Sequence, residues 1–151
     1  MENLSDSLED YLEAIYIINI DRIVVRVKEL AQFLSVKTPS VVDAISKLEK
    51  KGLVSHEKYG YLSLSAEGSK IAKGIYKKHE YIYKFLNEVL NVDEESAEKD
   101  ACGIEHHISK STLEKIIKFM GFVEKNPGAY MEFIHSFKQY LEKENISIQK
   151  K

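Results

Sequence analysis

Apolar residues recur at three- and four-residue steps along most of the chain, a spacing that predicts a mainly helical protein. Leu8, Tyr11, Leu12, Ile15 and Ile18 predict an amphipathic helix over about residues 5–19, with Asp10 and Glu13 on its flank. The β-branched run Ile23-Val24-Val25 reads as a small strand. A short helix over 27–34 turns Leu30, Ala31 and Leu34 inward, and Ser35-Val36-Lys37 has the length of a tight turn. Thr38 is placed to cap the next helix, with Pro39 at its first position, where a missing N–H leaves nothing unsatisfied. That helix runs through Val42, Ile45 and Leu48 to Gly52, a residue suited to a left-handed terminus.

Helix, tight turn, helix is the layout of a helix-turn-helix DNA reader. Two strand-like stretches, 53–58 and 61–64, pivot at Tyr59-Gly60 and add a β-hairpin wing. A long helix over about 65–91 aligns Ile71, Ile75, Ile82, Leu86 and Val89, with His79 on the same line. Asp93 can cap the helix after it, where Ala97, Ala101, Ile104 and Ile108 form an apolar line and Glu98, Cys102 and Glu105 run beside it. Two further helical patterns, Leu113-Ile116-Ile117-Met120 and Phe133-Ile134-Phe137-Leu141, flank Asn126-Pro127-Gly128. Their apolar faces exceed what so small a body needs for itself, so a subunit interface is expected. The expected organisation is a winged helix-turn-helix over 1–70, a helical metal-binding and dimerisation domain over 71–145, and a disordered tail over 146–151.

Chemistry concentrates at Cys102-Gly103-Ile104-Glu105-His106-His107. On a helix, the thiol of Cys102, the carboxylate of Glu105 and the imidazole of His106, at i, i+3 and i+4, share one face and can converge on a transition-metal ion. His107 falls on the other side. The chain has 151 residues and 44% of them are apolar, enough to bury a real core. A single cysteine excludes an internal disulfide and leaves Cys102 as a free thiol, a ligand or an intermolecular partner. No apolar run reaches the roughly 20 residues that span a bilayer, and the acidic start lacks the layout of a signal peptide. The expected location is the cytoplasm, with no membrane partner.

The net charge of −2 conceals two acidic blocks: residues 1–20 carry five acids and no base, and residues 92–108 carry six acids and one base. Two like-charged segments that pack together call for a cation between them. A plainer reading is that acidic first turns suit helix N-termini.

In order and in residues, the chain resembles the DtxR/MntR family of metal-dependent transcriptional regulators. The matching pieces are Glu9-Asp10-Tyr11-Leu12-Glu13-Ala14-Ile15-Tyr16, Thr38-Pro39-Ser40-Val41-Val42, Leu48-Glu49-Lys50-Lys51-Gly52-Leu53-Val54, Lys78-His79-Glu80 and Gly103-Ile104-Glu105-His106-His107. The resemblance covers about residues 7–140 and implies the two-domain type, without the SH3-like third domain of longer members. It implies Asp10, Glu13, His79, Cys102, Glu105 and His106 as metal ligands, with Glu98 as a lesser addition, and Mn(II) or Fe(II) as the divalent metal. The chain departs from both branches by joining the acid at position 10, typical of manganese regulators, to the cysteine at position 102, typical of iron regulators. Tyr83 and Glu98 also replace residues that hold a second ion in the iron branch, so one or two ions per subunit stay open.

On this reading the partners are a second copy of the chain and a palindromic double-stranded DNA operator. Lys37, Thr38, Ser40 and Val41 are expected to face the major groove, where hydroxyls read either base type and a small apolar group can touch a thymine methyl. Lys47, Lys50 and the wing residue Lys58 suit phosphates. Asp43 shares this face, where a carboxylate either accepts from a cytosine amino group or repels phosphates. The expected function is metal-gated repression of manganese or iron homeostasis genes. The competing class is a winged-helix regulator that senses an organic ligand or oxidation of Cys102. An enzyme is not expected, since there is no His-Glu-x-x-His pattern and no nucleophile with its base.

Overall fold

The computed structural model describes residues 4–148 apart from Ile23, Lys58 and Tyr59. It is mainly helical with one small antiparallel sheet: α1 (Asp6–Asp21), β1 (Val25–Arg26), α2 (Val27–Phe33), α3 (Thr38–Lys50), β2 (Val54–His56), β3 (Tyr61–Leu64), α4 (Ala66–Lys84), a π-helical turn (Phe85–Val89), α5 (Glu94–Glu105), α6 (Lys110–Lys125) and α7 (Pro127–Ile148). Backbone proximity divides the chain into two units, Met1–Lys77 and Lys78–Lys151. Among the described residues no helix is long and apolar enough to cross a membrane.

The first unit is a winged helix-turn-helix. The inward faces of α1, α2 and α3 form one core in which Leu12, Ile15, Leu30, Val41, Ile45 and Leu48 are at most 1% exposed. Ser35, at φ 53°, and the N–H of Val36, donated to the Ala31 carbonyl at 3.0 Å, make the turn between α2 and α3. Lys37 is the N-cap residue of α3, not Thr38 as the sequence suggests; Pro39 still falls within the first turn, where no N–H is needed. Gly52, at φ 70°, ends α3, and the N–H of Leu53 closes onto the Leu48 carbonyl at 3.0 Å.

The expected hairpin gains a third strand, giving the order β1-β3-β2. Val25 pairs with Leu62 and Val54 with Leu64, so fully buried Val25 and Leu62 and nearly buried Val54 share the core-facing side. Gly60, at φ 77°, lies in the turn of the wing; its expected partner Tyr59 lies outside the described residues. The backbone N–H of His56 donates to Glu49 Oε1 at 3.1 Å, tying β2 to α3. Gly68 opens α4 where the chain passes close to Leu53: a Cβ there would collide with the Leu53 carbonyl oxygen, so no larger residue fits without a shift.

In the second unit the sequence expects one unbroken helix to residue 91, but the ladder widens at Phe85–Val89, where the Leu90 N–H reaches the Phe85 carbonyl at 3.2 Å. Asn91, at φ 58°, then ends the run, and Asn87 Nδ2 donates to the Val92 carbonyl at 2.9 Å. Asp93 caps α5 as expected, accepting from the Ser96 N–H at 3.0 Å. Ser109 caps α6 in the same way, accepting from Thr112 N–H. The rings of Phe119 on α6 and Phe85 meet nearly perpendicular, centroids 5.9 Å apart. α7 continues to Ile148, and residues 149–151 of the expected tail lie outside the described residues.

Candidate metal centre

α5 departs from its sequence reading in one decisive respect. Its buried line is Ala97, Ala101 and Glu105, whereas Ile104, expected inward, is 37% exposed. Both lines obey helical spacing, and the apolar one was the natural expectation. The carboxylate won the interior because other groups wait there for it.

Glu105 is 1% exposed. Its Oε2 lies 3.0 Å from Nδ1 of His79, at the C-terminal part of α4, and its Oε1 lies 3.4 Å from Nε2 of His106, the residue that closes α5. Lys78 Nζ reaches the Glu105 carbonyl oxygen at 3.4 Å, a neighbour that no pattern in the sequence announces. Ligand atoms of Cys102, Glu105 and His106 lie within 4.8 Å of one another. The second ring nitrogen of His79, Nε2, lies 3.2 Å from Glu98 Oε1, whose side chain is 66% exposed. Both nitrogens of His79 thus face acceptors, an arrangement only the doubly protonated ring satisfies. The hydrogen bond to Glu105 is the largest cause, and with help from Glu98 against the opposing cost of burial it raises the His79 pKa from 6.5 to about 9.

Among the described residues, the buried Oε1 of Glu105 accepts no hydrogen bond. Leaving a buried acceptor unsatisfied costs about 1–3 kcal/mol. A carboxylate oxygen short of a donor, beside two imidazoles and a thiol, fits a divalent transition metal by geometry and donor chemistry alike. Of the other residues anticipated as ligands, Cys102 is exposed, and His107, set aside, is exposed too. Asp10, half-buried, and Glu13, 8% exposed, belong to α1 in the first unit.

The anticipated nucleic-acid face lies on α3. Lys37, Thr38, Ser40, Asp43, Lys47 and Lys50 are all exposed, while Lys58 lies outside the described residues. Val41 does not belong with them: it is fully buried in the core of the first unit and cannot reach a groove. The exposed apolar residue of this helix is Val42, at 49%, which the helical spacing of Val41, Ile45 and Leu48 places off the buried stripe. Asp43 Oδ2 is 2.7 Å from Lys47 Nζ.

Residues 3–62 match the family described as "Iron dependent repressor, N-terminal DNA binding domain", and residues 65–132 match "Iron dependent repressor, metal binding and dimerisation domain". The HTH-type transcriptional regulator MntR of Lysinibacillus sphaericus is 37% identical over 121 residues, covering 80% of this chain and 86% of that protein. Among solved structures, that of the manganese regulator SloR is 31% identical with a TM-score of 0.67, covering 76% of this chain and 54% of that one. A manganese-dependent transcriptional repressor in complex with manganese is 27% identical with a TM-score of 0.70, covering 76% of this chain and 53% of that one. This chain therefore spans about half the length of those two solved proteins. With both halves of the family matched in order and the curated relative covered over most of its length, the chain belongs to the iron-dependent repressor family of metal-dependent transcriptional regulators, the DtxR/MntR family.

Proposed function

We propose that this protein is a metal-dependent DNA-binding repressor of manganese or iron homeostasis genes, acting in the cytoplasm as a homodimer on a palindromic operator. Residues 1–70 are its DNA-binding domain and residues 71–145 its metal-binding and dimerisation domain. The observation that carries the reading is Glu105, a buried carboxylate between two imidazoles with one oxygen short of a donor. His79, Cys102, Glu105 and His106 are the ligands of the second unit; Asp10 and Glu13 are those of the first, and Glu98 is an outer addition. Carboxylates suit Mn(II), and imidazole with thiolate suits Fe(II), which keeps both metals in the frame. The relatives named for manganese are consistent with the first.

When bound, a divalent cation supplies the charge that offsets the acids of α5. The residues of the chain do the rest. Protonated His79 holds Glu105 in place without metal. A dimer on a palindrome needs its recognition helices about 34 Å apart, one turn of DNA, so restricting the heads raises affinity without a new base contact. Coupling of about 1–3 kcal/mol changes affinity by roughly 5–150-fold. Exposed Phe119, Phe122, Met131, Phe133 and Tyr140 on α6 and α7 supply apolar surface for the dimer.

The test is operator binding under anaerobic conditions across Mn(II), Fe(II), Co(II), Zn(II) and chelator. Binding that rises with Mn(II) or Fe(II) and falls with chelator supports the reading. The exposed thiol of Cys102 favours one other reading, gating by oxidation; binding indifferent to chelator but changed by peroxide selects it.

A further inference from the structure

Glu105 is held at both ends by neighbouring residues of α4. Its carboxylate meets His79, and its main-chain carbonyl accepts from Lys78 Nζ at 3.4 Å. The second contact has a local cause. α5 stops at Glu105, and the carbonyls of a helix's last turn have no partner within the helix. The chain beyond folds back on Ile104, whose carbonyl takes the N–H of His107 at 3.0 Å and that of Ile108 at 2.9 Å. The Glu105 carbonyl is left for a side-chain donor, and a cation suits the negative end of a helix. The half-buried Lys78 spends its bond on this neutral group; among the described residues no carboxylate pairs with it, so its charge is not cancelled.

We propose that Lys78 sets the concentration of divalent metal at which this regulator responds, by keeping a fixed positive charge beside the carboxylate assigned to the ion. This rests on the metal-binding reading above. An ammonium fastened to the main chain of Glu105 lies within on the order of 10 Å of an ion held by that residue's side chain, about a Debye length. It therefore repels an incoming dication at a range that salt screens only in part. At about 10 Å, a unit and a double charge shift an equilibrium constant by roughly fourfold even at the dielectric constant of water, and by more where protein replaces water. The opposing effect is smaller, since the hydrogen bond that steadies Glu105 is, at 3.4 Å, long for its kind and so weak. On balance Lys78 weakens metal binding. A site that offers imidazole, thiolate and carboxylate together binds divalent transition metals well on its donors alone; with Lys78 beside it, the site fills only when the ion is abundant, as a sensor of supply requires.

The experiment titrates the full metal-free chain with Mn(II), following the free ion by electron paramagnetic resonance, at low and at high salt. Lys78→Gln removes the charge and keeps a donor for the carbonyl, Lys78→Met removes both, and Lys78→Arg keeps both. The two neutral variants should bind Mn(II) about 4–30-fold more tightly than the wild type at low salt, the gain should shrink at high salt, and Lys78→Arg should match the wild type. The Mn(II) concentration at half-maximal operator binding should fall by the same factor. Affinity unchanged or weakened in Lys78→Gln is the result for a lysine that only supports α5, and it overturns the inference while leaving the metal site standing. A gain of equal size at both salt concentrations overturns it as well, because a charge effect is screened. A wild type that binds neither Mn(II) nor Fe(II) overturns both readings.

Discussion

α3 and α5 are helices of 13 and 12 residues, and what each buries sets them apart. The first buries Val41, Ala44, Ile45 and Leu48, all apolar; the second buries two alanines and Glu105. α3 is held by the transfer of apolar side chains out of water, which stabilises without regard to orientation. α5 is held less by apolar area than by its Asp93 cap and by polar partners of defined position, and burying a carboxylate costs several kcal/mol unless those partners are present. One helix is made to be stable, and in the proposed function the face left over meets DNA. The other gives up stability to keep a charged group buried, which the proposed function assigns to a metal.

That contrast breaks first at the apolar end. Leu48→Ala, which opens a cavity at a fully buried position, should cost about 2–5 kcal/mol of folding stability by chemical denaturation. A loss below 1 kcal/mol would mean that α3 is not the anchor of its core.

A smaller effect sharpens the other side. In metal-free protein His79 carries a pKa raised from 6.5 to about 9, chiefly through its hydrogen bond to Glu105. A base whose folded pKa is raised stabilises the fold fully while its unfolded form is also protonated, below about 6.5, and that contribution disappears as the pH rises through about 9. Thermal unfolding of the metal-free chain should therefore shift to lower temperature between those limits, and His79→Gln should flatten the profile. An equal slope in both proteins would mean that the His79–Glu105 pair does not hold the second unit.

Much of the fold was legible because apolar spacing is a strong signal where packing is apolar. The helices, the turn at Ser35, the stop at Gly52 and the cap at Asp93 all follow from residue type. The misses share a cause. Helical repeats of three and four residues overlap, so Ala97 and Ala101 are compatible with either Ile104 or Glu105 as the next inward residue, and only partners distant in sequence decide it. Val41 and Val42 differ by one position in the same way, and the core chose Val41. The widened turn at Phe85–Val89 left no mark, because one extra residue in the ladder changes no residue type. The cluster of His79, Cys102, Glu105 and His106 could be suspected from chemistry, while its buried, half-satisfied carboxylate could not.

The central claim is that this carboxylate serves a metal that controls DNA binding. It is tested most directly by titrating an operator duplex with wild type and Glu105→Ala, each with and without Mn(II) or Fe(II), after matching their folding by circular dichroism. Metal should stimulate binding by roughly 5–150-fold in the wild type and not at all in the variant. Equal stimulation in the two proteins would contradict it.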